Sequence, residues 1–536
     1  TLSRRLSLLM FGVILQKSKA KGRKILGLSI TYSLLLASAI LYTASVYKRK
    51  QFGDSQLDEI IFYMTNGLAD GQALSFVEAA RDNLLLCGIL FFLLLLPVID
   101  FYRNRVRINI NLEIFGNNRR LKFNPSHMPI KYKLTYAMVA FLISLWVLMS
   151  SFHAVEYIRS LTQVSDIYEK NYVDPKKVAL KFPEKKRNLV YIYMESMENT
   201  VVSRSHGGRA DKSRIPELEE IALDNKNVSF SNLDNGLGGA LPVSGTTWTV
   251  AGMVAQSTGV PLKHSLFNTD NGSLDRSYKE FLPGAGSLGQ MLEREGYNQS
   301  FLMGSVASFG GRDSMLKQHG NYNVLDYEKM KSNGSLPKDY GVWWGYEDKK
   351  LFEFAKKEAT RLAGEGKPFN LQMLTADTHF TDGYLDSSCQ TKFTGKYDNV
   401  HACSSAMVAE FVQWLKEQPF GDDTTIVLTG DHLGMQAPYY EDLIADSQYQ
   451  RTIYNAIINS VIAPIKSNSR TFSTLDMYPT TLAAMGVTIP GDKLGLGVNL
   501  FSEQPTLLEK YGSIESLNTE LEKRSNYYED NILRVK

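Results

Sequence analysis

The 536-residue chain has little cysteine, only three residues, and little net charge, with 59 Lys and Arg against 56 Asp and Glu. Balanced charge supplies no basic surplus of the kind a nucleic-acid surface needs, so nucleic acid is not an expected partner. No internal repeat and no low-complexity tract is present, which removes repeat arrays from consideration. The three long apolar runs, 25–47, 84–99 and 134–154, contain no Asp, Glu, Lys or Arg. A transport pathway through them would call for ionisable groups, so a transporter is not expected.

What the chain does contain is unevenly distributed. Its length predicts two or three units. Residues 1–155 alternate apolar blocks with basic clusters and are read as a membrane region, with spans expected near 25–47, 84–101 and 134–154. The first and third are long enough for a helix of about 20 residues to cross a hydrocarbon core. Flanking cations set the orientation: "KSKAKGRK" (Lys17–Lys24) precedes the first span, and Tyr102–Lys133 carries eight Lys and Arg against one acid, Glu113. Both should face the cytoplasm, which puts everything after about His153 outside a bacterial inner membrane. The first sixteen residues are apolar but too short to span alone, and a chain opening on Thr1 is not read as carrying a cleaved signal peptide.

Residues 156–187 are expected as a juxtamembrane connection, 188–505 as a periplasmic catalytic domain, and 506–536 as a helical tail. In the catalytic region strand-like runs (188–194, 300–304, 369–375, 424–430, 454–459) alternate with helical patterns (287–296, 348–364, 404–418). That alternation predicts an α/β domain on a mostly parallel central sheet. Cys87 lies in the second apolar run. Cys389 and Cys403 fall in the domain placed outside the cell membrane, where a disulfide between them is expected to persist and to staple the polar segment "QTKFTGKYDNVHA".

Ligand sites in such sheets lie at the carboxyl ends of strands. Three runs end on ligand-type residues: "NLVYIYM" on Glu195-Ser196, "FNLQMLT" on a loop leading to His379, and "TTIVLTG" on Asp431-His432. Glu195, Asp431 and His432 offer two carboxylates and an imidazole, leaving a coordination position open for a reacting oxygen. One divalent cation is expected, with manganese named first and magnesium or zinc possible. A nucleophile should come from "SGTTWTVAGMVAQ", a hydroxyl-rich turn before a helix. A cation lowers a hydroxyl's pKa, and a helix start aims free N–H groups at a phosphate. Chemistry alone does not separate Thr246, Thr247 and Thr249.

With "MESMENT" (194–200), "SGTTWTVAGMVAQSTGVPL" (244–262), "GGRD" (310–313), "WGYED" (344–348), "TADTHFTDG" (375–383), "GDHLGM" (430–435) and "LDMYPTTLAAMG" (475–486) in order, the chain resembles phosphoglycerol transferases of the alkaline-phosphatase/sulfatase superfamily. The likeness is closer to enzymes that decorate osmoregulated periplasmic glucans than to lipoteichoic acid synthase. It implies Glu195, Thr246, Asp431 and His432 around one Mn²⁺-type ion. Thr246 would be the nucleophile by its place thirteen residues before Gly259. It further implies Arg312 on the phosphate, His379 on the phosphoglycerol group and as proton donor to the departing diacylglycerol oxygen, and Phe309 as the aromatic beside the glycerol. The implied reaction takes phosphoglycerol from phosphatidylglycerol in the bilayer, through a glycerophospho-threonine, to a periplasmic glycan. O-antigen or another envelope glycan is the alternative acceptor. Phosphoethanolamine transfer to lipid A is the rival reaction, but its enzymes read Asp-His-Gly-Glu-Ser where this chain has "DHLGM". A hydrolytic sulfatase would place Cys or Ser in its own signature, which this chain lacks. A catalytically silent binding module would be expected to have lost a ligand.

Overall fold

The computed structural model describes residues 2–52, 70–99, 108–114, 117–123, 129–263, 280–444 and 448–534. The chain divides into two compact units, residues 1–50 with 74–155, and residues 51–73 with 156–536. His264, to which no role could be assigned, lies outside the described residues.

The first unit contains helices α1 (Leu2–Phe52), α2 (Asp70–Leu95) and α3 (Ile130–Ser151), and a hairpin of β1 (Ile108–Ile114) with β2 (Asn117–Phe123). Lys24–Arg49 and Ile130–Ser151 are helical stretches long and apolar enough to cross a membrane. Large apolar side chains point outward from them, Ile25 at 57% exposure and Trp146 at 67%. The middle span behaves differently from expectation. Its apolar helix runs only from Asn83 to Leu95. Pro97, which has no N–H to continue the ladder, follows in the turn after it.

The second unit is built on a six-stranded sheet of β3 (Asn188–Met194), β4 (Asn298–Met303), β5 (Asn323–Leu325), β6 (Phe369–Leu374), β7 (Thr424–Gly430) and β8 (Asn455–Ile458). The strand order is β5-β4-β6-β3-β7-β8. All pairs are parallel except β7 with β8. Strand β3 shows why its sequence is a continuous apolar run. Leu189, Tyr191 and Tyr193 belong to one buried layer, and Val190, Ile192 and Met194 to the other. A parallel strand covered on both faces has no polar side to present. Helix α4 (Thr249–Thr258) lies in the first layer, and α5 (Asp348–Ala363) and α6 (Lys396–Lys416) in the second.

Helix α6 begins well before the expected position 404. Its first turns take in Tyr397, Val400 and His401, all buried, from a segment whose polar residues had masked the pattern. Cys389 and Cys403 are joined, with Cα atoms 5.6 Å apart and a sequence separation of 14, so the bridge ties the loop before α6 to the helix itself. Closing a loop of about 15 residues limits the unfolded chain by about 3 kcal/mol. The Cys389→Ser/Cys403→Ser double variant should lose about that much in chemical denaturation of the solubilised protein. A loss under about 1 kcal/mol would mean that helix packing alone orders this segment.

The segments flanking the expected catalytic domain are part of its core. Ile167 and Tyr168 are buried together with Leu507, Leu508, Leu517, Leu521, Tyr528 and Ile532. The rings of Tyr168 and Tyr528 lie 5.3 Å apart, and Ser165 Oγ donates to Glu520 at 2.7 Å.

Candidate metal and phosphoryl-transfer site

Register creates the site. Met194 at the end of β3 pairs with Gly430 at the end of β7, so the next residues, Glu195 and Asp431, leave the sheet side by side. Their ligand atoms and that of His432 lie within 4.8 Å of one another, and all three residues are buried. His432 Nε2 is 3.4 Å from both Glu195 Oε1 and Asp431 Oδ2. The imidazole is held by its other nitrogen, since Nδ1 is 2.7 Å from the Leu433 carbonyl. A carbonyl only accepts, so Nδ1 carries a hydrogen and Nε2 is the nitrogen turned toward the cluster, where it could serve as a ligand.

Each carboxylate is also anchored. Asp431 Oδ1 accepts the backbone N–H groups of Ser196 at 2.9 Å and His432 at 2.8 Å, while its Oδ2 is buried without a hydrogen-bond partner. Glu195 Oε1 accepts from Ser196 Oγ at 2.7 Å. Thr375 Oγ1 accepts the Glu195 N–H at 3.0 Å, and Thr378 donates to the Glu195 carbonyl at 2.5 Å. Ser196 makes these contacts from a left-handed backbone, φ 55°. Burial, and then the neighbouring Glu195, pushes Asp431 up to about 8. Burial also opposes the charge on Glu195, but His432, His379 and Ser196 hold its carboxyl below the usual range. A divalent cation would relieve both the crowded charge and the unpartnered Oδ2. The donor set of two carboxylate oxygens and one imidazole nitrogen therefore fits such an ion.

The hydroxyl that faces this cluster belongs to Thr249. Its Oγ1 is 3.3 Å from His432 Nε2 and 3.5 Å from Glu195 Oε2. Thr246, expected as the nucleophile, turns its hydroxyl away from the cluster. Thr246 is fully buried in a turn made possible by Gly245 (φ 78°). Its Oγ1 donates to the Val243 carbonyl at 2.8 Å and accepts the Val243 N–H at 3.0 Å, so its one proton is committed within the turn. Thr247 Oγ1 is buried and makes no hydrogen bond. Thr249 opens α4, and Trp248 at the N-cap supplies no side-chain cap. First-turn N–H groups left without a cap suit an anion.

The other expected residues come from the two strands on the opposite side of β3. After β4, Arg312 is buried, with Nε donating to the Phe309 carbonyl at 3.0 Å and Nη2 to that of Val306 at 2.8 Å. Its charge acts on His379. After β6, His379 Nδ1 donates to the Phe380 carbonyl at 2.6 Å, again leaving Nε2 as an acceptor. Burial is the main influence lowering the pKa of His379. Phe309 sits 5.4 Å from the Arg312 guanidinium and 6.2 Å from the ring of Trp344, which in turn lies 4.7 Å from that of His379. Sequence reasoning quoted Trp344 within "WGYED" but gave it no part, and it gave none to Ser196, Thr375 or Thr378. Their only signal was adjacency to the strand ends.

A model of the sulfatase family matches residues 187–487, more than half of the chain. The chain belongs to the sulfatase family, within the alkaline-phosphatase superfamily. Among curated proteins it is similar to phosphoglycerol transferase I of Shigella flexneri, 32% identical over 403 residues, covering 72% of this chain and 48% of that protein. It is likewise similar to phosphoglycerol transferase I of Salmonella choleraesuis, 30% identical over 405 residues with the same coverage. The chain thus spans about half the length of the curated relatives it matches. Among solved structures, lipoteichoic acid synthase LtaP from Listeria monocytogenes matches with a TM-score of 0.47 at 16% identity, over 63% of this chain and 81% of that one.

Proposed function

We propose that this protein is a membrane-tethered transferase that moves phosphoglycerol from phosphatidylglycerol to a glycan outside the bacterial inner membrane, an osmoregulated periplasmic glucan first among them. The observation that carries the reading is Thr249 Oγ1 lying within 3.5 Å of both Glu195 and His432 at the start of a helix. The likeness to curated phosphoglycerol transferases supports the choice of donor headgroup.

In the first step Thr249 Oγ1 attacks the phosphorus. A new O–P bond forms, the bond to the diacylglycerol oxygen breaks, and a glycerophospho-threonine remains. In the second step a sugar hydroxyl attacks that phosphorus and regenerates the threonine. A divalent ion held by Glu195, Asp431 and His432, with Mn²⁺ favoured, would supply the positive charge that lowers the pKa of the hydroxyl and offsets the charge of the phosphate. The uncapped N–H groups of α4 and the Arg312 guanidinium receive the phosphate oxygens. Phe309 flanks the glycerol. His379 rests neutral with Nε2 open, the form that takes the proton of the incoming sugar hydroxyl. In the first step it takes the Thr249 proton and donates it to the diacylglycerol oxygen, the role first expected of it, and in the second it returns the sugar's proton to Thr249 Oγ1. Tethering to the bilayer raises the concentration of lipid headgroups that the site meets.

Headgroup-labelled phosphatidylglycerol and phosphatidylethanolamine, offered side by side with glucan and O-antigen acceptors, test this directly. The expected result is label transfer from phosphatidylglycerol alone, with a phosphoglycerol adduct found by mass spectrometry on the peptide containing Thr249. Label moving only from phosphatidylethanolamine would replace the proposed donor.

A further inference from the structure

The "WGYED" stretch has no part in the reaction above, although it lies against the loop that carries His379. Four contacts run to that loop from this stretch and the preceding Trp343. Trp343 Nε1 donates to the Ala376 carbonyl at 3.2 Å. Asp348 Oδ1 accepts the Ala376 N–H at 2.8 Å, and its Oδ2 accepts the Asp377 N–H at 3.1 Å. The ring of Trp344 meets that of His379 at 63°, with centroids 4.7 Å apart. Asp377 returns the bond, its Oδ1 accepting the Asp348 N–H at 3.2 Å.

These bonds grip two consecutive peptide units immediately before Thr378 and His379. The gripping residues are themselves fixed. Asp348 is 1% exposed and opens α5, a sixteen-residue helix that buries Leu351, Phe352 and Ala355. Tyr346 is buried, and its N–H donates to the Gly304 carbonyl at 3.0 Å, in the loop that leads from β4 to Arg312. The segment therefore stands between the loop of the phosphate-binding arginine and the loop of the histidine, with hydrogen bonds to both.

Burying a carboxylate is costly and is repaid only by specific partners. Asp348 spends its hydrogen-bonding capacity on two backbone N–H groups, and Asp377, also buried, lies against it with Oδ2 unpartnered. An apolar residue in place of Asp348 would take the acceptors away from the Ala376 and Asp377 N–H groups. What the arrangement provides is a fixed loop path, and hence a fixed place for the imidazole.

We propose that Trp343–Asp348 is a clamp for the His379 loop, and that Asp348 is a positioning residue acting on transfer through His379. The proposal rests on the transferase reading for its activity measurement and on hydrogen exchange for the clamp itself. Asp348→Asn keeps one acceptor oxygen and puts an N–H₂ against the other backbone donor. In the full-length protein it should speed exchange of the Ala376 and Asp377 amides. It should also lower kcat about 10²-fold, as expected for an ångström-scale displacement of a reacting group, while KM for phosphatidylglycerol stays unchanged. In a His379→Gln background the same substitution should change kcat less than about threefold, because the group it positions is already gone.

Unchanged amide exchange in Asp348→Asn would overturn the clamp. Faster exchange with an equal loss of kcat in both backgrounds would overturn the role through His379. Trp343→Phe, which removes a single hydrogen bond, serves the same cycle if Asp348→Asn does not fold. Should the wild-type protein turn over only another headgroup-labelled lipid, the donor assignment fails and the cycle is read on that lipid instead.

Discussion

Thr249→Ala should leave a folded, membrane-inserted protein whose phosphoglycerol transfer is at least about 10⁴-fold below wild type, the scale seen when a covalent nucleophile is removed. No other hydroxyl in this turn is bonded into the cluster. Thr249 Oγ1 contacts Glu195 and His432, whereas Thr246 Oγ1 is closed onto Val243. Thr246→Ala should instead cost stability, about 1–2 kcal/mol for a buried hydrogen-bonded hydroxyl, and retain most of the turnover. Thr249→Ser should keep measurable activity and accept the phosphoglycerol adduct at the same position. Steady-state transfer assays, with melting curves of each variant alongside, separate the two residues. An inactive Thr246→Ala beside an active Thr249→Ala would return the nucleophile to the position that family spacing indicates.

Gly252→Ala is the second substitution with a large expected effect, although the residue touches no substrate. A Cβ at Gly252 would lie 2.1 Å from the Asp431 carbonyl oxygen and 2.9 Å from the Asp431 carbonyl carbon. Both obstacles are backbone, so neither can swing aside. The same face of α4 is fixed one turn later, where Gln256 Nε2 donates to the Gly430 carbonyl at 3.0 Å and Gln256 Oε1 accepts from Tyr191 at 2.8 Å. The helix bearing Thr249 thus rests on the peptide bearing Asp431. A methyl group must push them apart by about an ångström, enough to cost about 10²-fold in rate, together with about 1–3 kcal/mol of overpacking. Kinetics at a saturating divalent cation isolate the rate effect from any change in ion affinity. Wild-type kcat in Gly252→Ala would show that the helix and the strand end are not rigidly coupled.

Much of this frame could be read from residue order. Strands 188–194 and 424–430 occupy the expected positions because long apolar β-type runs bounded by polar residues have few other uses in an α/β chain. Their ends made Glu195, Asp431 and His432 conspicuous. That these three meet depends on the Met194–Gly430 register, which no local pattern encodes. Which threonine hydroxyl faces the cluster was equally hidden. It turns on where α4 starts and on a left-handed Gly245 that folds Thr246 back onto Val243. Strand β5, three residues long, is too short to show a period. The early turns of α6 were concealed by the polar residues around Tyr397 and Val400. Asp348 was visible within a motif, but its purpose becomes plain only when the residues it binds, nearly thirty positions later, are brought beside it.

The packing of Tyr168 against Tyr528 and of Ser165 against Glu520 joins the opening and closing stretches of the catalytic unit. A core completed by residues so distant in sequence is slow to nucleate, because loop-closure entropy must be met before the contact is gained. During synthesis the layer around Ile167 and Tyr168 therefore emerges long before the residues that cover it. Until then its apolar surface stands open to chaperones and proteases alike.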